Sequence, residues 1–158
     1  MTECLPHLIP GTGGLIVGTL VFASAWIVAY VRTPYDSITF EPRGPGSFEP
    51  RLANYTRAAE TLIGLASASV VLLAGSSVLR SGGRLPWFYA SPLVLLGICV
   101  VYCVGFIGLL IFYYESFLHF PNSYTRFRYS LIQALGFAAL ICFSLAYLWL
   151  AFTLSNRS

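Results

Sequence analysis

Asn54, Arg57 and Glu60 open one long apolar run of this chain. Tyr113, Tyr114 and Glu115 close the next run, and His119, Arg126, Arg128 and Gln133 stand before or just inside a third. Acids, bases and an amide grouped at the ends of apolar segments have two kinds of use. They can bind a polar ligand or ring an ion path, or they can hold one another: Arg57 and Glu60 are spaced i,i+3, and Glu115 is expected to pair with Arg126 or Arg128. The sequence therefore predicts one polar mouth built from Asn54, Arg57, Glu60, Tyr114, Glu115, His119, Arg126, Arg128 and Gln133. Ion pairing that fixes helix register is its default role. A ligand site and an ion-conducting ring are the alternatives.

Other reactive sets are sparse. The histidines, His7 and His119, are expected on opposite sides of a membrane, which leaves no haem or metal ligand set within one chain. Cys99 and Cys103 share a helix face one turn apart, too far along the axis for a good disulfide, and there is no CxxC; they and Cys142 read as small apolar filler. No Ser-His-acid set, phosphate loop or second aspartate beside Asp36 accompanies them. The expectation is no metal and no cofactor. A net charge of +3, dispersed over arginines with no basic run, gives no track for a phosphate backbone, so nucleic acid is not expected as a partner.

Arg51, Asn54 and Glu60 at the start of a span, with Tyr114 and Arg126 further on, resemble the site of the glutathione-using membrane enzymes called MAPEG proteins, which also have four spans and termini on one side. That resemblance implies that Arg51, Asn54 and Glu60 contact glutathione, Tyr114 helps bind it and Arg126 activates the thiol. The chain departs from the family pattern in its spacings, and Thr61-Leu62 stands where Tyr-Pro would follow the glutamate.

These residues must be positioned by membrane-spanning helices. At 57% hydrophobic and 9% charged residues, with a mean hydropathy of +0.75, the chain is far more apolar than soluble domains, where about 25% of residues are charged. About 20 apolar residues cross a bilayer, and four such runs occur, at about 12–31, 58–79, 86–112 and 129–152. The sequence predicts an all-α integral membrane protein: four transmembrane helices in an up-down bundle, one domain over 1–158, with a single larger irregular loop at 32–56. In that loop Phe40-Glu41-Pro42-Arg43 recurs as Phe48-Glu49-Pro50-Arg51, a pattern that could fold back on itself, and Asn54 or Thr56 reads as the N-cap of the second span.

The second span has no aromatic residue from Thr56 to Pro86 in a chain that is 16% aromatic, which predicts that it is the enclosed, central helix. Gly64, Ala68 and Gly75 make its small-residue stripe, with Gly97, Gly105 and Gly108 on the third span as the expected mate and Gly14 and Gly18 as a further close-approach pair. The fourth span, with Phe137, Phe143, Tyr147, Trp149 and Phe152, is expected to face lipid in part. Arginines near the spans divide six to three in favour of the loops after the first and third spans, so these are expected inside, with both termini outside, in a bacterial inner membrane. The N-terminus lacks the positive region of a secretory signal and is expected to be retained.

Three functions fit these features. The first is a non-enzymatic subunit that assembles with itself or with other membrane subunits through small-residue faces, with the lipid bilayer as its surroundings. The second is an oligomeric channel or membrane-permeabilising effector lined by the second span through Thr61, Ser67, Ser69, Ser76 and Ser77, with Glu60 at the mouth. The third is an enzyme at the inner face.

Overall fold

A computed structural model describes residues 11–33, 48–75, 87–120 and 125–155. They form four helices: α1 (Thr12–Arg32), α2 (Glu49–Gly75), α3 (Trp87–His119) and α4 (Arg126–Ser155). Each is long and apolar enough to cross a membrane.

Helix α1 starts after Gly11, whose φ of 105° lies in the left-handed region that favours glycine. It stops where Thr33 turns to extended backbone, with both the Thr33 amide and its hydroxyl bonded to the Ala29 carbonyl. The other three helices are longer than their apolar runs. Helix α2 begins at Glu49 and so absorbs most of the stretch expected as a loop end. Asn54 is therefore inside the helix and caps nothing; Thr56 bonds back to the Leu52 carbonyl at 2.9 Å. The second Phe-Glu-Pro-Arg copy forms the first turn of α2, where the missing Pro50 amide costs no helix bond. The first copy and the turn at 81–84 lie outside the described residues. Helix α3 runs on to His119, which is helical rather than in a loop, and Arg126 and Arg128 belong to the first turn of α4.

The core lies between α3 and α4. Its fully buried side chains include Leu95, Leu96, Cys99, Cys103 and Cys142, with Ala139, Ala146 and Leu150 beside them. The three thiols are packing groups at the centre of this interface. Small residues make the close fit on α4: Ala134, Ala138, Cys142 and Ala146, followed by Leu150, recur every fourth position and are all buried. The bulky residues of α4 divide: Phe137, Leu148 and Phe152 are exposed, while Phe143 and Trp149 pack partly buried against the core.

Helix α1 packs across α3 and α4, whereas α2 packs on α3, touches α4 only lightly and makes no contact with α1 among the described residues. The expectation of a central α2 is thus overturned. In its apolar window 11% of residues are buried, against 33% in α4, and its inward face consists of Ala59 and Ala66 with Leu62, Ile63, Val70 and Leu73 around them.

The glycines separate into used and unused. A side chain at Gly14 would strike the Ser91 carbonyl oxygen at 2.5 Å, and one at Gly18 would meet Ile98 at 2.8 Å, so the α1–α3 crossing depends on both. The Tyr102 hydroxyl completes that crossing by donating to the Gly18 carbonyl at 3.1 Å. Gly105 faces Leu135 at 3.7 Å, an ordinary contact with α4 rather than α2. Among the described residues there is open space around Gly64, Gly75, Gly97 and Gly108, and Ala68 is exposed with them. The stripes on α2 and α3 therefore do not mate within the chain.

Candidate functional site

Helices α2 and α4 touch only lightly, with a contact between the Ser69 and Tyr147 hydroxyls. Between them, over α3, is a groove of about 390 Å³. Its floor is Cys103 and the ring of Phe106, which lies 3.2 Å from where a side chain on Gly136 would stand. A side chain at 136 would press on that ring, so glycine there leaves Phe106 its place in the groove. The α2 wall is apolar at Ala58 and Leu62, and Leu140 of α4 faces it.

Polar groups gather at one end. Arg51, in the first turns of α2, and Tyr55, one turn deeper, stand across from Tyr129 and Gln133 of α4. Gln133 donates from Nε2 to the Tyr129 hydroxyl at 3.0 Å, which fixes the amide and leaves its oxygen directed elsewhere. The Tyr55 ring meets Phe106 edge-on at 6.2 Å, and Phe48 bridges Tyr55 and Tyr114 at 6.4 and 5.8 Å, so aromatic contacts position this wall.

The residues expected to form one polar mouth are distributed over separate faces. Asn54 is exposed on the flank of α2, and Arg57 and Glu60 are exposed on the side turned away from the bundle, with no ion pair joining them among the described residues. Glu115 and His119 are exposed on the outward side of α3, in line with Gly97 and Gly108, and Glu115 forms no ion pair with Arg126 or Arg128 there. Tyr114 is half-buried against Phe48. Arg128 lies over the Tyr113 ring at 5.3 Å. Arg126 stacks on Tyr30 at 4.4 Å and donates to the Tyr30 and Val31 carbonyls, so it caps the C-terminus of α1 from a neighbouring helix and meets its negative dipole end. Only Gln133 of the expected set lines the groove.

Arg51, Tyr55 and Tyr129 complete the polar end. Tyr55 and Tyr129 went unread in the sequence because nothing local marks an aromatic as facing a groove rather than lipid. Their signal was present in the i,i+4 spacings Arg51–Tyr55 and Tyr129–Gln133, which stack the four side chains on two facing helix stripes.

Comparison with protein-family models, curated proteins and solved structures finds no match. The MAPEG-like residues are also dispersed within it: Arg51 lines the groove, Asn54 and Glu60 are exposed outside it, and Arg126 caps α1. They do not form one glutathione site within a single chain, and no chemistry of that kind is assigned to it.

Proposed function

We propose that this chain is a non-enzymatic membrane subunit that assembles with copies of itself or with another membrane subunit through the outward faces of α2 and α3. The observation that carries the reading is the open space at Gly64, Gly75, Gly97 and Gly108. Within a bilayer, helices gain nothing by burying apolar surface from lipid, and close backbone approach at small residues is a main source of association. Four glycines with nothing within 4 Å of where a side chain would stand, among the described residues, are suited to a partner's helix. Lipid, which fits any surface, does not require them.

The bundle is read as up-down. Gly14 and Gly18 facing Ser91 and Ile98 support α1 running alongside α3, while Phe48 and Tyr55 on Tyr114 and Phe106 support α2 running against it. The arginine count favours both termini outside, in a bacterial inner membrane. A channel lined by α2 gains less support. Thr61 and Ser69 bond back to the Arg57 and Leu65 carbonyls, which satisfies hydroxyls that would otherwise wet a lumen.

Fluorescence energy transfer between labelled copies in liposomes tests self-association. The expected result is transfer that falls when unlabelled protein is added and is lost in a Gly64→Leu, Gly108→Leu double variant. Absence of transfer, together with no co-purifying membrane protein from the native host, would rule the reading out.

A further inference from the structure

The geometry points to the groove between α2, α3 and α4 as a binding site for one anionic membrane lipid, with its headgroup at Arg51 and one acyl chain lying towards Cys103. This does not depend on the assembly reading above, since the groove is on the inward side of α2 and the open glycines are on the outward side.

The polarity of the groove runs in the same direction as that of a lipid leaflet. Arg51 lies in the first turns of α2, at the helix end where the interface is inferred to lie; Tyr55 and Gln133 are a turn or so deeper, with the Phe106 ring against Tyr55; Leu62 and Cys103 lie deeper still and are apolar. A headgroup and the start of an acyl chain present polar and apolar surface in that order. The flank between α2 and α4 is open: among the described residues the two helices touch only lightly, and the Ser69 and Tyr147 hydroxyls make a hydrogen bond between them. A lipid can therefore enter sideways without leaving the membrane. A volume of about 390 Å³ is at the lower end of small-molecule sites, about 300–1,000 Å³, and suits one chain rather than two.

Polar valences at the mouth remain unused. Among the described residues the Arg51 guanidinium, the Tyr55 hydroxyl and the Gln133 amide oxygen have no hydrogen-bond partner. A guanidinium with five donors matches the oxygens of a phosphodiester, and the Tyr55 hydroxyl can donate to the same group. The Gln133 oxygen is an acceptor, suited to a glycerol hydroxyl of the headgroup. Arg51 is the one charged residue of the lining; Glu49, the nearest acid in sequence, lies beside Tyr114 and outside the groove. The site therefore favours net negative charge over a zwitterion whose ammonium would approach Arg51.

The test is native mass spectrometry of the full chain released from nanodiscs made of equal parts phosphatidylglycerol and phosphatidylcholine with identical acyl chains. The expected result is one retained phosphatidylglycerol, preferred about fivefold, the scale of one basic side chain at an anionic headgroup. Arg51→Ala should equalise the two lipids, Ala58→Trp should displace both by filling the apolar wall, and Arg57→Ala, on the far side of α2, should keep the preference. Excess inorganic phosphate should leave the adduct in place, since the acyl chain contributes to its hold. Four results would overturn the proposal: equal retention by the unaltered protein, an undiminished preference in Arg51→Ala, loss of the preference in Arg57→Ala, and displacement by phosphate alone. A photoreactive acyl chain gives a check that needs no variant. It should label α2 or α4 residues of the groove, and labelling confined to the outward faces, or replacement of the lipid by a second protein copy cross-linked at Ala58, would equally refute it.

Discussion

Two pairs of glycines at helical spacing behave in opposite ways. Gly14 and Gly18 on α1 lie so close to α3 that a methyl group on either would collide with the Ser91 carbonyl or with Ile98, whereas among the described residues nothing stands within 4 Å of the methyl positions at Gly64 and Gly75 on α2. The spacing is a permission for close approach, and whether it is used depends on which helix arrives. At α1 the partner belongs to the same chain. At α2 the permission is left open, and that difference supports an intermolecular use.

The comparison can be broken first at its tightest point. Gly14→Leu is expected to destabilise the bundle by about 3 kcal/mol or prevent its assembly, because a backbone carbonyl cannot give way as a flexible side chain can; unfolding in mixed detergent micelles measures it. Next in size, Gly18→Ala should cost about 1–3 kcal/mol, limited by how far Ile98 can turn. Removing the hydroxyl that seals the same crossing, Tyr102→Phe, should cost about 0.6 kcal/mol, typical of hydrogen bonds between membrane helices. The smallest effect should have the opposite sign. Gly64→Ala is expected to leave the stability of the isolated chain unchanged or raise it by up to about 0.5–1 kcal/mol through helix propensity, while still weakening association between copies. A loss of monomer stability in Gly64→Ala would mean that the face is packed after all.

The four spans and their all-helical character were legible because apolar runs of sufficient length allow few other structures. The order of burial was not. Absence of aromatics from Thr56 to Pro86 suggested enclosure of α2, but burial is decided face by face and not by a segment's average. Helix α4 combines an inward row of Ala134, Ala138, Cys142 and Ala146 with an outward row of large side chains, so its composition resembles a lipid-facing helix while one side of it forms the core. Of its large side chains, Phe137, Leu148 and Phe152 are exposed, whereas Phe143 and Trp149 pack partly buried against the core. The polar mouth failed to gather for a related reason. Arg57 and Glu60 differ from Arg51 and Tyr55 by their angle around α2, which a count along the chain does not distinguish. Arg126 was singled out as ionisable, yet the need it answers, the free carbonyls ending α1, becomes visible only when α1 and α4 are adjacent.

The absence of any α1–α2 contact among the described residues bears on how the chain is made. When the ribosome has delivered the first two spans, neither has found its neighbour: α1 awaits α3 and α4, and α2 awaits α3. Until the third span enters the bilayer, α1 and α2 therefore lack the helix that both pack on. The Gly14–Gly18 surface is then unoccupied during synthesis, available to an insertion factor or to the same surface of another newborn chain.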